Sequence, residues 1–222
     1  MANQSATFWV DLQRDIDHLH AGAALELTDV TWSDYEHLLD QLEERSGLRV
    51  SYDRGRLEIV TTTSLHEMYS DLLLLIAFTT ANRLGLPFES RGSTTFKEEK
   101  LRQGAEPDTC FYITNAHRIL GDPRRLFDLS IDPPPDILVE VDITHSSRRK
   151  ISFYRNIGVP ELWVYDERRL RIFVLEKAGY EEARVSRSFP ILTSALLTRT
   201  LEIAKAENSQ TAALRYLQKQ FS

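Results

Sequence analysis

PDILVEVDITHSSRRKISFY, residues 135–154, decides how this chain is read. It opens on a Pro-Asp pair and runs into the hexad ILVEVD (137–142). It then passes through Ser146 and Ser147 into a segment with helical spacing. Side chains alternate across a strand, so Leu138, Glu140 and Asp142 share one face and Ile137, Val139 and Val141 the other. Apolar residues on both faces mark a strand from the middle of a sheet. An ionised carboxylate in such a strand is costly unless it is paired or bound to a metal, so Glu140 needs a partner.

A second Pro-Asp pair, Pro107-Asp108, opens the apolar segment DTCFYI (108–113) and supplies the companion. Two adjacent carboxylates repel one another unless a cation neutralises them. Mg²⁺ takes oxygen ligands at about 2.0–2.1 Å and keeps several waters, one of which can become a nucleophile. Lys150 follows Glu140 near the start of the next helix, where its ammonium can orient the attacking water or stabilise a phosphorane. Phosphodiester hydrolysis uses such a set. Plainer readings compete with it: Glu140 in a salt bridge to an arginine, Asp108 as a strand-opening turn residue, and Lys150 as a solvated lysine.

Outward from this stretch the chain alternates helices and strands. Residues 1–30 read as an irregular arm. Thr31 or Ser33 caps a helix to about Arg45, with Tyr35, Leu38, Leu39 and Leu42 on one face and Gly47 as its stop. LRVSYD and RLEIVT read as a hairpin about Arg54-Gly55. Ser64 and Glu67 form the S-x-x-E pattern of a capping box, and the helix they open runs to about Arg83 and stops at Gly85. Glu67 is also placed to serve as a further acid near the site, whereas His66 reads as a surface or capping residue. Short strands follow at 88–91 and 94–96. KEEKLRQGAE (97–106) reads as a charged loop, and 115–134 is loop-like, with Gly121-Asp122-Pro123 and Pro133-Pro134-Pro135 as breakers. ELWVYD and LRIFVLE form a hairpin closing over Glu167 and Arg168, and after Pro190 the chain is helical again. The central order, helix-strand-strand-strand-helix-strand over 64–166, predicts an α/β fold with a mixed central sheet flanked by helices, plus N-terminal and C-terminal helical extensions.

The chain of 222 residues is 42% hydrophobic, enough for one core. No apolar run approaches the roughly 20 residues a membrane span needs. The start lacks a basic stretch followed by an apolar one, so no signal peptide is expected. The single cysteine, Cys110, points to a reducing, cytoplasmic setting. A net charge of -6 excludes a protein that coats nucleic acid through bulk charge. It leaves room for a local basic patch at Arg148, Arg149 and Lys150 with Arg168, Arg169 and Arg171, a cluster that otherwise reads as a solvated face. Zinc-type Cys/His spacing, a Gly-rich phosphate loop and a nucleophile elbow are all absent.

RGRLEIVTTTSLHE, RGSTTFKEEKLRQGAEPDTCFYITNA, DPPPDILVEVDITHSSRRKISFYRNIGVPELWVYD and SRSFPIL together resemble the Uma branch of the PD-(D/E)XK restriction-endonuclease-like superfamily. The resemblance spans most of residues 50–192. It implies a single restriction-endonuclease-like domain with an α-β-β-β-α-β core and a nuclease site that uses Mg²⁺ or Mn²⁺. DNA would be the substrate and a homodimer the assembly. Asp108 matches the Asp of the motif and Glu140 the D/E. The motif's lysine normally stands two residues after the acid, a place taken here by Asp142. Lys150 resembles a migrated lysine supplied from the following helix. Asp142 then either adds a ligand or caps that helix. The rival function is a catalytically inactive nucleic-acid-binding or regulatory protein that keeps the nuclease fold; a structural module is the third.

Overall fold

The computed structural model of the protein describes residues 6–42, 47–120 and 127–221. Arg45, the expected end of the first predicted helix, and the Gly121-Asp122-Pro123 breaker lie outside these residues.

Two sheets make up the molecule. The six-stranded one carries the core. Its strands are β4 (Glu89–Ser90), β7 (Thr109–Tyr112), β8 (Ile137–Val141), β9 (Glu161–Tyr165), β10 (Leu170–Glu176) and β11 (Gly179–Ala183). Their spatial order is β11-β10-β9-β8-β7-β4, with β8 and β9 parallel and the other pairs antiparallel. The parallel pair needs a crossover, which α5 (Arg148–Asn156) provides.

Helix α3 (Ser64–Leu84) and the C-terminal α6 (Ser194–Glu207) and α7 (Gln210–Lys219) cover one face of this sheet. There Leu72, Leu73 and Ile76 pack in one cluster with Ile137, Val139 and Val141. Leu138 packs instead with Phe153 and Tyr154 of α5. The two faces of β8 therefore divide as the alternation of its residues predicts. The core order α3-β4-β7-β8-α5-β9 is the predicted α-β-β-β-α-β arrangement.

The second sheet holds β1 (Ala24–Leu27), β2 (Leu48–Asp53), β3 (Arg56–Thr61), β5 (Phe96–Glu98) and β6 (Gln103–Ala105), in the order β1-β3-β2-β6-β5. Helices α1 (Ala6–Asp17) and α2 (Trp32–Leu42) pack on it, burying Leu12, Ile16, Tyr35 and Leu38 with Val50, Tyr52, Leu57 and Ile59. The β2–β3 hairpin has the predicted bounds. Its two central residues, Arg54 and Gly55, take φ values of 50° and 104°, as a two-residue hairpin of this twist requires. α4 (Ala116–Ile119) is a single short turn.

Three expectations need correction. The N-terminal arm is not irregular: among the described residues it contains α1 and β1. KEEKLRQGAE is not a loop, because β5 and β6 pair across a 3₁₀ turn at Glu99–Leu101 and join the second sheet. Thr63, not Ser64, is the N-cap of α3, its side chain accepting from His66 N. At the other end Gly85 takes φ 64° and Leu86 N donates to Ala81 O at 2.9 Å, a left-handed helix stop. Among the described residues no helix is long and apolar enough to cross a membrane.

Candidate active site

The chain leaves the second sheet at Ala105 and enters the first at Thr109, so Glu106-Pro107-Asp108 is the seam between them. Glu106 fastens it. Its backbone N donates to Val50 O at 3.1 Å, and its carboxylate accepts from Val50 N at 2.9 Å and Thr95 Oγ1 at 2.6 Å. Val50 and Tyr52 of β2 belong to the second sheet's core, while Arg49 and Ser51 line a cleft at the seam. Asp108, Glu140, Asp142, His66 and Lys150 line the same cleft. Its volume is about 40 Å³, room for about three waters.

Glu140 is 3% exposed, and both its oxygens are engaged. Lys150 Nζ donates to Oε2 at 2.9 Å and Tyr154 Oη to Oε1 at 2.5 Å. Lys150 and Tyr154 stand one turn apart on α5, so one helix face holds both oxygens. Lys150 Nζ also donates to Glu106 O at 3.0 Å. The salt bridge of Glu140 is thus to lysine rather than arginine, and the Lys150 side chain, 12% exposed, is largely withdrawn from solvent.

Asp108 is 5% exposed. Its Oδ2 accepts from Val141 N at 2.6 Å and lies 3.0 Å from His66 Nε2, and its Oδ1 lies 3.4 Å from Arg49 Nε. His66 is therefore no surface histidine: the first turn of α3 delivers it to Asp108. Glu67 lies behind, with Oε1 3.1 Å from Arg49 Nη2 and 3.7 Å from His66 Nδ1. It reaches Asp108 only through those two cations. Asp142 Oδ1 and Oδ2 accept from Ser147 N and Ser147 Oγ, so this carboxylate ties down the start of α5. Of the expected basic patch, Lys150 is largely buried, Arg149 pairs with Glu26, Arg169 with Glu182 and Arg171 with Asp166.

The charges follow from these contacts. Burial pushes the Glu140 carboxyl up to about 7, against the pull of Lys150 and with the help of Asp108. Burial works against the Lys150 ammonium, but Glu140 and Asp108 prevail and hold it above its ordinary value. Burial would also raise Asp108; the His66 hydrogen bond, Lys150 and the Val141 amide hold it below the usual range. Burial disfavours the His66 cation, yet its bonds to Asp108 and Glu67 carry it up to about 9. At neutral pH the acids face three cations, Lys150, Arg49 and His66.

Among the described residues no group of three or more His, Cys, Asp or Glu side chains converges as a ready metal cage. Asp108 and Glu140 are hard oxygen donors. Each carboxylate oxygen has two lone pairs, and Glu140 Oε1 and Oε2 have each spent one on the bonds given above. Two carboxylates with room for a few waters suit a cation such as Mg²⁺, which retains much of its water, and do not suit zinc or iron–sulfur chemistry.

Sequence reading missed Arg49, Glu106 and Tyr154. Tyr154 carried a signal, its i, i+4 spacing from Lys150. Arg49 carried none, since its partner Asp108 lies in another sheet.

Acids and cations thus meet in a seam at the mouth of β7 and β8, on an α-β-β-β-α-β core. The chain matches the Uma2 family, described as "Putative restriction endonuclease", over residues 32–206 and belongs to that family. Its fold is similar to the crystal structure of "a putative nuclease belonging to DUF820" from Anabaena variabilis. That likeness has a TM-score of 0.56 and 15% identity, and covers 77% of this chain and 98% of the other. No curated protein matches the chain.

Proposed function

We propose that this protein is an endonuclease that hydrolyses phosphodiester bonds of DNA with a divalent metal, Mg²⁺ or Mn²⁺, as a single cytoplasmic domain that pairs into a homodimer. The observation that carries the reading is the meeting of Asp108, Glu140 and Lys150 in one cleft, in a chain of the Uma2 family. Asp108 and Glu140 would hold the metal, which when bound supplies a Lewis acid and a water of lowered pKa.

The chain's own residues do the rest. Lys150, fixed by Glu140 Oε2 and Glu106 O, places a positive charge beside the acids where a phosphate gains negative charge. Tyr154 fixes the rotation of the Glu140 carboxylate, as partners of metal-ligating carboxylates do. His66 and Lys150 keep Asp108 ionised, Arg49 packs against it, and Glu67 is the auxiliary acid that positions His66 and Arg49.

Nicking of supercoiled plasmid with Mg²⁺ or Mn²⁺, stopped by chelation and absent in Glu140→Ala, is the expected result. A parallel RNA substrate tests the preference for DNA. One observation favours a second reading, a nucleic-acid-binding protein that keeps the fold without catalysis: Lys150 and Tyr154 engage both Glu140 oxygens. Binding of DNA by the wild type with no cleavage under either metal would select it.

A further inference from the structure

An acidic protein that handles DNA needs a local cation that can exchange its partner for a phosphate. Arg49 and His66 are buried and Lys150 largely so, all three against the acids, and none can be that cation without dismantling the site. Arg149 is different. Its side chain is 49% exposed at the first turn of α5, beside Lys150. It lines a second cleft with Arg56, which shares Ser51, Glu58 and Lys150 with the first, so the two adjoin.

The partners of Arg149 come from the second sheet. Its Nη1 lies 2.7 Å from Glu26 Oε1 on β1 and 3.8 Å from Glu58 Oε1 on β3. The chain leading into β1 also runs close to Thr144, which lines the first cleft. Gly22, just before β1, takes φ 77° and sits so close to Thr144 and Thr63 that a Cβ there would lie 3.2 Å from both methyl groups. Glu26 thus presents a carboxylate to a guanidinium that lines the cleft adjoining the acid-lined one, and both it and Gly22 precede the family match at residue 32.

Resting on the nuclease reading, we infer that this adjoining cleft is the entrance for DNA, that Arg149 contacts a DNA phosphate there, and that Glu26 and Glu58 are the anions this phosphate displaces. Guanidinium groups bind phosphate and carboxylate with the same geometry, so exchange keeps the hydrogen bonding of Arg149. An exposed ion pair is weak enough to yield. Glu26 then lowers affinity for every DNA and biases the entrance toward ligands of high charge density.

The test is DNA affinity in the presence of a chelator, where no cleavage occurs, using a fluorescein-labelled duplex and its single strand over a range of salt. Arg149→Ala should weaken binding about tenfold and reduce the slope of log affinity against log salt by about one. Arg149→Lys should keep most of that slope. Glu26→Gln should tighten binding about threefold, the worth of an exposed ion pair. Wild-type binding that neither Arg149→Ala nor Glu26→Gln changes would overturn this inference and leave the nuclease reading standing. A wild type that binds neither strand at low salt would overturn this inference, and one that in addition nicks no DNA with Mg²⁺ or Mn²⁺ would overturn the nuclease reading as well.

Discussion

Pro107-Asp108 and Pro135-Asp136 stand at opposite ends of the β7–β8 ladder, and their hydrogen bonds mirror each other. Asp108 N donates to Val139 O, and Asp108 Oδ2 accepts from Val141 N, two residues on. Asp136 N donates to Phe111 O, and Asp136 Oδ2 accepts from Ile113 N, again two residues on. Both aspartates are 5% exposed. The Pro-Asp pattern is therefore a clamp that extends an antiparallel ladder past its last paired residue, and it does so equally well with no chemistry attached. The remaining partners make the difference. Asp136 takes only neutral donors, the backbone and side-chain amides of Asn115. Asp108 takes His66 and Arg49, cations delivered by another helix and another sheet. A carboxylate satisfied by amides is at rest, whereas Asp108 is kept charged by buried cations beside a second acid.

The largest expected effect sets the two clamps against each other. Asp108→Asn should reduce plasmid nicking to background. Asp136→Asn should keep cleavage per folded molecule and cost about 1–3 kcal/mol in urea unfolding, because the new amide opposes the Asn115 donors. Equal loss of activity in both variants would erase the distinction.

The next effect lies in His66, whose cation faces Asp108 and Glu67, with Arg49 beside them. Its folded pKa, raised to about 9, exceeds the unfolded value. Its stabilisation should be complete below about pH 6.5 and lost as the pH rises through about 9, with a full amplitude of about 3 kcal/mol. Glu140, also raised, loses stability in the same direction, but between about pH 4.5 and about 7, below most of the His66 window. The difference between wild type and His66→Gln across that range therefore isolates the histidine. A flat difference would return His66 to a surface role.

Lys150→Ala should slow cleavage about 10²-fold or more while Mn²⁺ binding, followed by electron paramagnetic resonance, survives. Undiminished turnover would remove the lysine from the chemistry. The smallest effect is local. Thr63→Ala should cost about 1 kcal/mol by uncapping the helix that carries His66, and Ser64→Ala should cost little. The reverse order would restore Ser64 as the cap.

The β2–β3 hairpin, α3, β8, α5 and the β9–β10 hairpin were legible because each carries its own periodicity and its own stop. β5 and β6 were not. Their residues, KEEKLRQGA, show no apolar alternation, and pairing with β2 rather than propensity makes them strands. The site divides in the same way. Glu140 and Lys150 were visible because ten residues separate them along one strand and helix. The His66 contact with Asp108 crosses 42 positions and the Arg49 contact 59, distances at which no local pattern exists.

Cys110 lies on β7 two residues from Asp108, fully buried, its thiol pushed up to about 12 by that burial. It is also the chain's single cysteine. A thiol reagent can therefore modify only molecules in which this strand has parted from its neighbours. Each alkylated molecule records one such opening, and the labelling rate serves as a clock for breathing at this strand with no probe added to the protein.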